Sequence, residues 1–124
     1  MVKVKSHREL LVYQKSFGAA MDIFALSKSF PKEEIYSLTD QIRRSSRSVA
    51  ANMSETFRKR QYPKLFVAKL IDCESEASET QVWIDFALQC GYLSKEEADR
   101  LDQTYNQIIA MAVKMRLNPE QWQP

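Results

Sequence analysis

Residues Ile35–Arg60, IYSLTDQIRRSSRSVAANMSETFRKR, decide the fold. Apolar or small residues recur at Ile35, Leu38, Ile42, Ser45, Val49, Asn52 and Thr56. The steps alternate between three and four, which is the period of a helix packed along one seam. Arg43, Arg44 and Arg47 stand between the seam positions, and Arg58-Lys59-Arg60 closes the stretch. One helix is therefore predicted to carry both a core face and a basic face. Asn52 occupies a seam position where an aliphatic residue is expected, and a buried amide needs partners. With Gln41 and Glu55 on the same helix it is predicted to form a small polar core network that sets register.

The same period extends to both sides. Upstream, Ser6 and Glu9 have capping-box spacing, and Leu10, Tyr13, Phe17, Ala20, Phe24 and Ser27 form a seam that Leu11 and Met21 widen. Gly18 lies inside this helix, where it either admits a close neighbour or is a weak spot. Phe30-Pro31 ends the helix, because a residue before proline is pushed out of the α region, and irregular backbone is expected up to Ile35. Downstream, Gln61-Tyr62-Pro63 makes a short break. A third seam then runs through Phe66, Leu70, Cys73, Ala77, Thr80, Ile84 and Ala87, with a glycine stop at Cys90-Gly91. Ser94 and Glu97 repeat the capping-box spacing, and the last seam is Ala98, Leu101, Tyr105, Ile108, Ala112 and Met115. Trp122, in the tail after Asn118-Pro119, is expected to dock on the bundle. Four long helices with short connections predict an all-α fold, an antiparallel up-down-up-down four-helix bundle. It forms a single domain over residues 1–124, with helices at about 7–29, 33–59, 63–90 and 95–117 and a tail at 118–124.

The totals agree with this reading. Two glycines and four prolines in 124 residues are too few for the many turns of a β-sandwich or barrel. The net charge of +2 is too small to coat nucleic acid indiscriminately, but its distribution is uneven. Gln41–Lys64 holds seven basic residues and one acidic residue, whereas Leu70–Ser94 holds five acidic residues and no basic one. Cys73 and Cys90 fall on one predicted helix, roughly 25 Å apart, too far to bridge within a subunit. Unpaired thiols and the lack of a long apolar run predict a soluble, cytoplasmic chain that does not enter a membrane.

Arg43, Arg44 and Arg47 lie close enough for their guanidinium groups to converge, and Arg58, Lys59, Arg60 and Lys64 extend the basic region. Several cations on a rigid element suit RNA or DNA phosphates. The competing reading pairs Arg43–Arg47 with the carboxylates of Glu76–Asp85 on the antiparallel third helix, within or between subunits. Val82, Trp83 and Phe86 make a second apolar stripe beside the core seam of that helix, as at a subunit interface; wide core packing under the Trp122 tail is the alternative. Glu76 and Glu79 share a face, but the one histidine, His7, is at the far start of the chain, so no metal site is expected. No nucleophile is paired with a base, and no glycine-rich loop is available to hold phosphate. The chain is therefore read as non-enzymatic and without a cofactor.

The segments FPKEEIYSLTDQIRRSSRSVAANMSE, SETQVWIDFALQCGYL and NPEQW together resemble the bacterial four-helix-bundle proteins first noticed as products of intervening sequences in 23S ribosomal RNA genes, the S23 family. This family is similar in turn to the accessory variability protein of diversity-generating retroelements. The resemblance implies a homo-oligomer, a ring-like pentamer, with a positively charged surface for nucleic acid and for a partner protein such as a reverse transcriptase. It implies no enzymatic activity. Where many members have a proline before the Ala-Asn pair and a glycine after Glu, this chain has Ala50-Ala51-Asn52 and Ser54-Glu55-Thr56. The resemblance thus carries the bundle to this chain, and not a function tied to a kink there. Two functions follow: nucleic-acid binding through the basic helical face, or a protein–protein adaptor whose basic residues pair with the acidic residues of helix three within the oligomer.

Overall fold

In a computed structural model, which describes residues 3–124, the chain forms four helices: α1 (Leu11–Ser27), α2 (Leu38–Arg58), α3 (Pro63–Gln89) and α4 (Lys95–Leu117). Short 3-10 turns at His7–Glu9, Lys32–Glu34 and Pro119–Trp122 complete the described residues, which contain no strand. Cross-helix pairs give the directions. Arg44 meets Glu79, Ser45 meets Thr80 and Thr56 meets Cys73, so residue number falls on α3 as it rises on α2. Glu74–Arg116 and Gln81–Asn106 show the same for α3 and α4. Lys15–Gln107 and Asp22–Arg100 show it for α1 and α4, which closes the bundle. Each helix runs antiparallel to its neighbours, as the short connections require.

Capping fixes two of the helix ends. The Ser94 hydroxyl accepts from the Glu97 amide (3.1 Å) while the Glu97 carboxylate accepts from the Ser94 amide (2.9 Å), and α4 starts there. At the end of α3, Gly91 has φ +79°, and the Tyr92 amide donates back to the Ala87 carbonyl (2.8 Å). This αL turn needs a residue without a Cβ.

The buried faces of α3 and α4 follow their seams residue for residue. The face of α1 does not. Its core residues are Val12, Ser16, Ala19, Ala20, Ile23 and Ser27, while Leu11, Phe17 and Met21 are about half exposed. The Ser6–Glu9 capping box closes only a 3-10 turn, and Leu10 adopts an extended backbone (φ −72°, ψ 125°) with its side chain buried. That one-residue break re-phases the helix, and a row of small residues lets α1 lie close to its neighbours. Tyr13 and Phe24 are half-buried at the edges of this row.

On α2 the seam also drifts. Val49, Met53 and Phe57 are buried four residues apart, and Met53 fills the place predicted for Asn52; a straight helix drifts in this way against a strict heptad. The polar core network of Gln41, Asn52 and Glu55 does not form. Half-buried Asn52 donates to the carbonyl and hydroxyl oxygens of Ser48 on the preceding turn (2.9 and 3.0 Å). Exposed Glu55 pairs with Lys69 (3.1 Å), and Gln41 accepts from Arg44 (3.1 Å). The buried polar contact between α2 and α3 is instead Thr80 donating to Ser45 (2.8 Å). Near it, Cys73 is fully enclosed against Thr56, and burial pushes its thiol from 9.0 up to about 12. Trp122 lies partly buried against the core at the end of the bundle opposite Gly91. No described helix is long and apolar enough to cross a membrane.

Candidate nucleic-acid interface

The helix α2 starts at Leu38, three residues later than the seam predicts, because Glu34 organises the turn before it. The Glu34 carboxylate accepts from the Leu38 amide (3.3 Å) and from the Tyr92 hydroxyl (2.9 Å). This ties the turn to the α3–α4 connection and leaves Ile35 and Tyr36 facing outward. The outer face of α2 then presents the three arginines in two directions.

Arg43 and Arg47 lean toward α1. Their guanidinium carbons lie 4.9 and 5.7 Å from the centre of the Phe24 ring, and the Lys28 ammonium lies 4.7 Å from it. Arg43 Nε also donates to Ser27 Oγ (2.8 Å), which fixes its plane. Cations over an aromatic face are held by its quadrupole, at about 0.5–1 kcal/mol each at exposed sites. Lys28 is a member of this cluster that the sequence reading missed. The signal was its spacing of four from Phe24, obscured because Phe24 was assigned to the core seam.

Arg44 turns the other way, to α3. Its Nη2 meets Glu79 Oε2 (3.2 Å), which also accepts from the indole N–H of Trp83 (3.3 Å). Trp83 is thereby half-buried in a polar contact and stacked near Phe86 (ring centres 6.0 Å apart), while Val82 and Phe86 remain exposed. The other α3 carboxylates that pair do so elsewhere: Asp72 with Lys69, and Glu74 with Arg116 of α4 (2.6 Å). Of the three arginines on the outer face of α2, then, Arg44 is the one that the acidic run of α3 neutralises within the chain. Arg43 and Arg47 form no ion pair among the described residues.

Arg58, Lys59, Arg60 and Lys64 gather at the α2–α3 turn, about 16 Å along the helix axis from Arg47. Arg60 stacks on Phe57 (3.8 Å) and donates through Nε to the Phe57 carbonyl (3.0 Å). Partial burial, and then the charge of Arg58, lower the pKa of Arg60. None of these four residues forms an ion pair among the described residues. The predicted single basic face is therefore two clusters, one where α2 faces the end of α1 and one at the α2–α3 turn, with Arg8 of the N-terminal turn bordering a nearby groove. That groove, also lined by Tyr13, Phe17, Met21, Arg47 and Ala51, runs between α1 and α2. The described residues contain no group of three or more His, Cys, Asp or Glu side chains that could hold a metal ion.

The model of the 23S rRNA-intervening sequence protein family matches residues 8–114. The chain belongs to this family. The match reaches into all four helices and covers both basic clusters. A protein of unknown function from the S23 ribosomal protein family of Bacteroides thetaiotaomicron VPI-5482 has a similar crystal structure. It is 25% identical, the alignment covers 86% of this chain and 95% of that one, and the TM-score is 0.76. Among curated proteins none matches.

Proposed function

We propose that this intervening-sequence family protein is a non-catalytic, cytoplasmic homo-oligomer that binds RNA or DNA through the basic outer face of α2. Lys28, Arg43 and Arg47 form one phosphate-binding cluster; Arg58, Lys59, Arg60 and Lys64 form the second. The observation that carries this reading is the absence of an ion pair on any of these seven cations among the described residues, while Asp72, Glu74 and Glu79 of α3 pair with Lys69, Arg116 and Arg44. Cations set on a rigid helix without counter-charges are the electrostatic footprint of a polyanion site. Arg44, paired with Glu79, is a spectator in this account.

Self-association is supported by apolar surface on two helices that are diagonal in the bundle: Leu11, Phe17 and Met21 on α1, and Val82 and Phe86 on α3. Two different patches on opposite sides suit head-to-tail contacts, which make a ring when the rotation between subunits closes. A ring would repeat the basic clusters around its rim; the five-fold count comes from the family resemblance.

The test is charge reversal. Replacing Arg58, Lys59 and Arg60 by glutamate should weaken RNA and DNA binding strongly while the helical circular dichroism is retained. Retained affinity in a folded variant would remove the second cluster from the interface and favour the adaptor reading.

A further inference from the structure

An open cleft of about 590 Å³ lies at the start of α2, lined by Tyr36, Thr39, Asp40, Arg43 and Arg47 among others. This volume falls within the range of small-ligand sites. Resting on the nucleic-acid reading above, we propose that the cleft holds one unpaired nucleotide of a single strand, with its base stacked on Tyr36 and its phosphate between Arg43 and Arg47.

Three independent observations meet here. Tyr36 is 95% exposed, yet it stands on a turn whose backbone is fixed: the Ser37 amide donates to the Glu34 carbonyl (3.0 Å) and the Ile35 amide to the Lys32 carbonyl (3.1 Å). An aromatic ring carried on a fixed backbone, with both faces open to solvent, can serve as a stacking platform. Next, Arg43 and Arg47 are like charges four residues apart on one helix, held around the same Phe24 ring with Lys28 and without a carboxylate partner. Such a pair is repulsive, and an anion between its members relieves it. Finally, Thr39 is 5% exposed, and its hydroxyl is buried without a hydrogen-bond partner at the wall of this cleft, one turn from Tyr36 and one from Arg43. Buried hydroxyls are ordinarily satisfied.

The strand must be unpaired, because a base within a duplex already has neighbours on both faces and cannot reach the ring. Asp40 is the one carboxylate lining the cleft, and it opposes the phosphate.

The experiment uses the full chain, a labelled oligoadenylate and a labelled RNA duplex of equal length, read by fluorescence anisotropy. Tyr36→Ala should weaken oligoadenylate binding about tenfold, the size of one lost base–aromatic stack, and leave duplex binding unchanged. Tyr36→Phe should restore the wild-type affinity, and Asp40→Asn should tighten single-strand binding. Tyr36 and Asp40 are both exposed, so these variants test the cleft without disturbing the core. If Tyr36→Ala binds oligoadenylate as tightly as wild type does, the cleft assignment is overturned while the broader nucleic-acid reading stands. If the wild-type chain binds neither probe, both fall.

Discussion

Cys73 shows how burial sets the chemistry of a single side chain. Its thiol is enclosed between α2 and α3 with Thr56 as its polar contact (3.8 Å), and desolvation raises its pKa to about 12. The sign for stability follows from linkage. A thiol that ionises less readily when folded contributes its full stability below its ordinary 9.0 and loses it as pH rises toward about 12. Tyr105, also buried and raised by desolvation and then by Asp22, acts in the same direction. Urea titrations over a pH series should therefore show stability falling above pH 9.0, and Cys73→Ala should flatten that decline. An unaltered decline in the variant would assign it to Tyr105 and other groups. Asn52 teaches the opposite lesson at this scale. An amide read as a core residue met its hydrogen-bonding needs on the preceding turn, and sequence spacing could not tell that edge position from its neighbour Met53.

Helix α4 was legible because it has one apolar row and a polar remainder, and on α3 the steps of three and four selected the buried row even though Val82 and Phe86 lie exposed beside it. Helix α1 was not, because it is apolar almost all round and packs through its small residues. Choosing the largest side chains for the core put Phe17 inward, whereas the structure leaves it half exposed. The bundle needs close approach there, which Ser16, Ala19 and Ala20 permit. Gly18 plays no part in that approach. A Cβ added to it would meet nothing within 4 Å. Gly18→Ala should therefore stabilise the chain by about 1 kcal/mol through helix propensity alone, seen as a higher midpoint in urea at unchanged slope. A loss of stability would mean that another surface packs against this side of α1.

At the scale of the whole molecule, the basic region was legible as composition and not as geometry. Seven cations between Gln41 and Lys64 could be counted, but their division into two clusters, the turning of Arg44 to Glu79 and the recruitment of Lys28 depend on which helices are neighbours. The apolar stripe was partly legible for the same reason. Val82 and Phe86 are exposed, whereas Trp83 is tied to Glu79. Phe86 is therefore a cleaner probe of self-association than Trp83. Phe86→Glu should lower the mass found by light scattering to that of smaller assemblies, with the helices intact; an unchanged mass would place the subunit contact elsewhere.

The central claim is that cations free of carboxylate partners engage nucleic-acid phosphates, and salt dependence tests it most directly. Affinity for a labelled single-stranded RNA would be measured across a range of salt concentrations. Seven released counterions predict a slope of log affinity against log salt of about −5, and reversal of Arg58, Lys59 and Arg60 should reduce its magnitude by about 2. A slope near zero, or no binding at low salt, would show that the basic face does not meet phosphate, and would contradict the account.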